Sequence, residues 1–361
     1  MIKELNLAGA SRSIGREHGE QVLELRPQIE AAMQARLTVL RRQDLDLSPY
    51  LHEVAQVWEQ HAPATLEMLR GIAEVLEFDW RDYFSSTIVS YLADRIDSTH
   101  RSAHGNPGCT TWAASGICTR DGSSIMAKNR DTCLDQRPLE CLARVHPERG
   151  YPYLCLTTAG TPGVASSGIN AVGLAVADTY VPSTDVGPGI GRYSVMMDLL
   201  EKCASVQEAI EYIGLHPHLG NGTVGLVDAQ GGMVVFELAH SVQAALRPDE
   251  DFVVSTNHFT APETRTLCVD REPPFLQGSS VERRRRVEEA LRAARGQVDI
   301  AWTQSLMAQH GTGLSAICRH PEIDPQGVTI SSVVLLPQKA SLYLAHGSPC
   351  ETPFELFQVI D

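Results

Sequence analysis

At Cys109 the sequence changes texture, and that change limits what the chain can fold into. Before it, Ile14, His18, Val22, Leu25, Ile29, Met33, Leu37 and Leu40 recur at steps of three and four, the spacing of one helix face. Pro27 marks a kink or break in that pattern. Further helices are predicted over 63–72 and 80–92, and a polar linker from Arg95 to Asn106. After Cys109 come short β-branched runs punctuated by Gly, Pro and Asp. They predict strands at 110–115, 123–128, 140–145, 152–158, 172–178, 223–228, 232–238, 242–247, 252–255, 328–336 and 340–345. Helices are expected at about 193–214, 280–296 and 301–309. This is an α+β pattern: a helical segment over 1–108, then 109–361 with two layers of mostly antiparallel strands and helices outside them.

Composition narrows the function classes. With 43% hydrophobic residues, 361 positions can build a substantial core. No apolar run approaches the ~20 residues of a membrane helix, and Met1-Ile2-Lys3-Glu4-Leu5 lacks the apolar stretch of a secretory signal. The expectation is a cytoplasmic protein without membrane association. A net charge of −14 disfavours nucleic acid and anionic membranes. Nine cysteines without CxxC pairs argue against a disulfide scaffold and a zinc ribbon. No metal and no cofactor is expected. His216-Pro217-His218 reads as an exposed turn, and Gly187-Pro188-Gly189-Ile190-Gly191 lacks the strand and spacing of a dinucleotide loop. Cys118, Cys133, Cys141, Cys155, Cys203 and Cys268 read as buried or partly buried thiols.

The chemistry concentrates at Gly108-Cys109-Thr110-Thr111. Cysteine is the most nucleophilic side chain near neutral pH, and Gly108 leaves its own carbonyl open to attack. By itself a cysteine opening a β-branched run is equally a buried strand residue. Asp121-Gly122 is a hairpin signal, and the returning strand, Gly122 to Asp131, would bring Asp131 back beside Cys109.

Those residues, with Asn129-x-Asp131, resemble the isopenicillin N acyltransferase family, autoprocessing members of the N-terminal-nucleophile hydrolase superfamily. Other landmarks agree: Gly15-Arg16-Glu17-His18-Gly19, Gly168-Ile169-Asn170-Ala171-Val172-Gly173-Leu174, Thr256-Asn257-His258, Ile317-Cys318-Arg319-His320-Pro321 and Gly347-Ser348-Pro349-Cys350. The resemblance implies a four-layer αββα sandwich and self-cleavage between Gly108 and Cys109. The cleaved fragment 1–108 would then stay with 109–361. It implies Cys109 as nucleophile with its own amine as base, Asp131 as acceptor for that amine, Asn257 as oxyanion donor and Arg283 as the active-site arginine, with Arg284 its rival. Bile-salt-hydrolase-like relatives tend to carry an arginine where this chain has Lys128. Relatives often have Asn where it has Asp178-Thr179-Tyr180, which alters the outline of that side of the pocket, and Thr179 is a candidate for substrate contact; Arg130 is another, although it adjoins Asp131 and adjacent strand residues point to opposite faces. His258 is assigned a structural role, because the α-amine already supplies a base.

The function so implied is cleavage of an N-acyl amide through a Cys109 thioester, with a small amide or acyl molecule as substrate. Hydrolysis is favoured, since a transferase must bind a second substrate and exclude water. Acyl-CoA-dependent transfer stays open, as does an uncut, non-catalytic binding protein of the same fold. Homo-oligomerisation is likewise left open.

Overall fold

The computed structural model describes residues 2–41, 46–96, 108–270, 272, 276–311, 313–324 and 326–360. The expected linker from Arg95 to Asn106 falls almost wholly outside the described residues.

The helical half begins with a strand the periodicity did not show: β1, Lys3–Gly9. It is followed by α1 (Ser11–Gln21), α2 (Arg26–Arg41), α3 (Ser48–His61), α4 (Pro63–Leu76) and α5 (Trp80–Ile96). Pro27 breaks the run by sitting in the first turn of α2, where its missing N–H costs nothing. The glycines of α1 allow unusually close packing: a Cβ on Gly15 would lie 2.1 Å from the Met68 carbonyl oxygen, and one on Gly71 would lie 2.4 Å from that of Arg12. Backbone meets backbone where α1 crosses α4, which explains the Gly15–Gly19 landmark.

From Cys109 on, the strands are β2 (Thr110–Ala114), β3 (Ile125–Thr132), β4 (Glu140–Pro147), β5 (Tyr153–Thr158), β6 (Ser167–Asn170), β7 (Ala175–Tyr180), β8 (Gly222–Val227), β9 (Met233–Leu238), β10 (Gln243–Leu246), β11 (Phe252–Ser255), β12 (Val328–Leu336), β13 (Ser341–Ala345) and β14 (Glu355–Gln358). The helix expected at 193–214 is two, α6 (Arg192–Lys202) and α7 (Val206–Gly214), because Ser205 caps a new helix start by accepting from the Glu208 N–H. Two more helices follow, α8 (Ser279–Ala293) and α9 (Ile300–Met307).

These strands make two sheets, ordered β1-β4-β5-β6-β7-β8-β9-β10 and β11-β2-β3-β12-β13-β14. The pairings are antiparallel except β1 with β4, which runs parallel from Lys3↔Cys141 to Gly9↔Pro147. The sheets pack face to face through Leu142, Leu156, Ile169 and Val235 of the first against Ala113, Met126, Val333 and Leu344 of the second. On the outer face of the first sheet, Leu5, Val145 and Val176 meet Trp58, Leu69, Ile72 and Leu200 from the helices. On the outer face of the second, Trp112, Ile125 and Val334 meet Val287 and Leu291 of α8 and Leu306 of α9. The layers are therefore helix, sheet, sheet, helix. Strands with both faces covered are apolar throughout rather than alternating, and β2, β5, β8, β9 and β12 are buried along their full length. Each such leucine or valine stabilises the fold by roughly 1.5–3 kcal/mol relative to an exposed one. Among the described residues no helix is long and apolar enough to cross a membrane.

Candidate active site

β2 and β3 form the expected hairpin, registered as Thr110↔Asn129 through Ala114↔Ile125. Extending that register sets Cys109 opposite Arg130. Side chains alternate along a strand, and here the alternation sorts the chemistry. Cys109, Lys128 and Arg130 line a cavity between the layers. On the opposite face Asn129 donates to the carbonyl oxygens of Met307 and Ile317, both 2.9 Å. Arg130 shares the cavity with Cys109 and pairs with Glu140 at 2.7 Å.

The cavity is open to solvent and leaves about 160 Å³ for the centres of water-sized molecules. The N-terminal helices supply Arg36, Trp58, Thr87 and Tyr91, and Tyr180, Arg192 and Tyr193 close the far side. Lys128 and Arg192 both bind Asp178, at 2.5 and 2.7 Å. Burial alone would raise the Asp178 pKa, but the two cations outweigh it and hold it below the usual range. Cys109 is buried, which raises its thiol pKa; the charge of Lys128 pulls the other way.

Asp131 lies at the Gly108–Cys109 junction in a different setting. Its Oδ1 accepts from the Thr329 hydroxyl at 2.7 Å, while its buried Oδ2 has no hydrogen-bond partner among the described residues. Arg319 Nε is 3.7 Å from that oxygen, a charge contact without a hydrogen bond. Burial raises the Asp131 pKa to about 6 against the pull of Arg319, Arg283 and the Thr329 hydroxyl. Gly108 is held equally tightly: a Cβ there would come within 2.2 Å of the Arg319 guanidinium and 2.9 Å of Asp131 Oδ2. No other residue fits that position without moving Arg319.

Of the four consecutive arginines on α8, Arg283 is the one that turns inward. It donates to the Cys109 carbonyl oxygen (2.6 Å), the Thr110 hydroxyl (2.9 Å) and Asn257 Oδ1 (2.9 Å). Burial, reinforced by neighbouring Arg319, lowers its pKa to about 10. Arg284 pairs with Glu288, Arg285 with Glu282 and Glu289, and Arg286 binds the Ser315 carbonyl oxygen and Gln309. The Asn257 amide nitrogen donates to the Tyr180 carbonyl oxygen at 2.8 Å.

Other expectations are corrected. Thr179, a candidate for substrate contact, is fully buried, and its hydroxyl bonds to Thr223, Ser255 and the Thr256 carbonyl oxygen. Strand alternation gives the cavity to its neighbours Asp178 and Tyr180 instead. His216-Pro217-His218 is not an exposed turn: His218 is buried against the Ile213 carbonyl oxygen and His216 stacks on Tyr212. His258 bonds to Ser280 and Thr256, and burial lowers its pKa to about 4. The sequence reading gave no role to Arg319, Thr329 or Ser279. Ser279 Oγ accepts from Arg319 at 2.6 Å and joins that arginine to the start of α8. Arg319 lay inside a recognised landmark, and its partners are distant in sequence.

Two sheets packed between helical layers make an αββα architecture, with a cysteine at a strand end opening onto a cavity. The family model described as acyl-coenzyme A:6-aminopenicillanic acid acyl-transferase matches residues 118–351, well over half of the chain. The chain belongs to this family. No curated protein matches the sequence. Among solved structures it is similar to a mutant of conjugated bile acid hydrolase from Clostridium perfringens, at 14% identity and TM-score 0.46, covering 69% of this chain and 96% of that one. A second variant of that hydrolase aligns at 13% identity and TM-score 0.46, over 69% and 97%. Penicillin V acylase from Agrobacterium tumefaciens aligns at 15% identity and TM-score 0.42, over 69% and 86%.

Proposed function

We propose that this chain is an autoprocessed cysteine amide hydrolase, cut between Gly108 and Cys109 and acting through a Cys109 thioester. The observation that carries the reading is the junction itself. The Cys109 side chain lines a cavity, while beside Gly108 a buried carboxylate oxygen of Asp131 has no hydrogen-bond partner among the described residues. An unpaired buried acceptor is costly, and a new α-ammonium group at Cys109 would relieve that cost.

In processing, the thiol adds to the Gly108 carbonyl, the acyl group passes from nitrogen to sulfur as the C–N bond breaks, and water hydrolyses the thioester. The products are a Gly108 carboxylate and a free Cys109 amine. With reference pKa values of about 8.5 for the thiol and about 7.7–8.0 for the amine, the amine takes the thiol proton near neutral pH. The thiolate then attacks a substrate amide, the leaving amine receives the proton, and water releases the acid. Arg283 orients Asn257 by binding its Oδ1, and one amide N–H is held by Tyr180. The second N–H serves as donor to the oxyanion. Such a donor is typically worth about 10²–10³ in rate.

Residues 1–108 and 109–361 would be the two chains of the mature enzyme, inseparable because Arg36, Trp58, Thr87 and Tyr91 wall the cavity. Hydrolysis is favoured over transfer from coenzyme A because Arg284, Arg285 and Arg286 are committed to partners within the chain, which leaves no free arginine cluster there for its phosphates. Aromatic walls suit an apolar acyl group. Arg36 Nε, buried and without a hydrogen-bond partner among the described residues, suits a carboxylate on the substrate.

The test is N-terminal sequencing of the purified protein followed by a screen of N-acyl amino acids against acyl-coenzyme A donors. Two associated fragments of roughly 12 and 28 kDa are expected, from about 110 Da per residue. The larger should begin Cys-Thr-Thr-Trp, with turnover of N-acyl amino acids in water alone. A single uncut chain with full activity overturns the mechanism. Strict dependence on an acyl-coenzyme A donor overturns the preference for hydrolysis.

A further inference from the structure

Four metal-binding side chains converge away from the cavity. His310 follows α9, Cys318 and His320 precede β12, and Cys350 lies between β13 and β14. Their ligand atoms all fall within 4.8 Å of one another. Cys318 Sγ is 3.7 Å from Cys350 Sγ and 3.7 Å from His320 Nε2. His320 Nε2 is also 3.2 Å from Cys350 Sγ and 3.1 Å from His310 Nε2.

Hydrogen bonding does not account for this cluster. One imidazole nitrogen carries either one hydrogen or one lone pair, yet His320 Nε2 meets three polar atoms at once. A central cation does account for it. With zinc–sulfur bonds of about 2.3 Å and zinc–nitrogen bonds of about 2.0–2.1 Å, a tetrahedral site has edges of about 3.8 Å between sulfurs, about 3.6 Å between sulfur and nitrogen and about 3.3 Å between nitrogens. The separations among Cys318, His320 and Cys350 and that between His320 and His310 lie within about 0.4 Å of those edges, and the remaining two, from His310 to the cysteines, lie within 4.8 Å.

We propose that His310, Cys318, His320 and Cys350 form a structural Cys₂His₂ zinc site. Four protein ligands fill a tetrahedron and leave no position for substrate, so the metal is a clip rather than a catalyst. Binding displaces the two thiol protons, and two thiolates with two neutral imidazoles balance the charge of the ion. The clip has a definite load. Arg319 stands between two of the ligands, and its guanidinium packs on Gly108 and faces Asp131. The His310 loop is itself anchored by Arg286, which binds Gln309 and the Ser315 carbonyl oxygen. Spacing along the chain hid the site, because its ligands come from two connections, α9–β12 and β13–β14, rather than from paired CxxC motifs.

The full chain, purified anaerobically with reductant, should carry about one zinc per molecule by elemental analysis. After removal of that metal, cobalt(II) added to the intact protein should give a thiolate-to-cobalt charge-transfer band and the strong visible absorption of a tetrahedral site. Cys350→Ser and His310→Ala should each reduce bound zinc at least tenfold, whereas Cys133→Ser, outside the cluster, should leave it unchanged. Chelation should lower the thermal midpoint by several degrees. If either variant fails to fold, the cobalt spectrum of the parent protein decides. Substoichiometric zinc in the parent, a cobalt spectrum without thiolate bands, or a Cys318–Cys350 disulfide in the anaerobic protein would each overturn the assignment.

Discussion

Two aspartates are buried within reach of Cys109, and they are held in opposite ways. Asp178 is gripped by Lys128 and Arg192, and its pKa is held down. Asp131 has one oxygen bonded to Thr329 and one without a hydrogen-bond partner among the described residues, with Arg319 at charge-contact range, and burial raises its pKa to about 6. Burial is common to both, so the partners make the difference. A carboxylate whose lone pairs and charge are already matched is a piece of wall. One left short of a donor has capacity for a cation that arrives later, and self-cleavage would create one at Cys109.

The sharpest way to break this comparison is Asp131→Asn. It keeps the shape but withdraws the fixed charge, so processing and amide turnover should fall by about 10²–10³, a loss of the size expected for a group that acts in the transition state. The measurement is the rate of appearance of the Cys-Thr-Thr-Trp terminus, followed by kcat on a processed sample. Activity within threefold of the parent would remove Asp131 from the site. Asp178→Ala should fail differently, because it leaves Lys128 and Arg192 buried without their counter-charge. A stability loss of about 3–5 kcal/mol is expected from breaking a buried pair. Urea unfolding of the Cys109→Ala chain, with and without the change, measures it, and a loss below about 1 kcal/mol would show that those cations find other partners.

The smallest effect is a pH dependence of opposite sign at the two sites. For Asp131 the folded pKa, about 6, lies above the unfolded value of about 3.9. The folded chain therefore holds an extra proton between those values, and the associated stability is present below about pH 4 and lost as pH rises through about 6. In the uncut Cys109→Ala background, Asp131→Asn should thus raise the thermal midpoint by a few degrees at pH 7.5 and hardly at all at pH 4. Asp178 has the reverse sign, its contribution being present above the unfolded pKa and lost on acidification. Midpoints that shift equally at both pH values for Asp131→Asn would contradict the assignment of its raised pKa.

The family resemblance was legible because the residues that carry it sit in short strings. Gly108-Cys109, Asn129-x-Asp131 and Thr256-Asn257-His258 each declare themselves locally, and the hairpin register follows from one turn signal. Arg319 and Thr329 did not, since they meet Asp131 across about 190–200 positions of chain. Thr179 was misread because a string does not say which face of a strand each residue takes, and the cavity went to Asp178 and Tyr180 on either side. Strand β1 escaped because it is only seven residues long and gains its place from β4, more than a hundred residues away.

That parallel pairing of β1 with β4 also sets an order of events. Strand β1 has no partner until residues 140–147 have been synthesised, so its place is secured late and by a long-range closure. While the chain is continuous, the closure is intramolecular and the two strands are never far apart in effective concentration. A cut made before folding would turn it into an encounter between two molecules, and the N-terminal piece could drift away. The proposed self-cleavage, if it requires an assembled site, would not happen too early, because the geometry that would break the bond is the geometry that has already captured the strand.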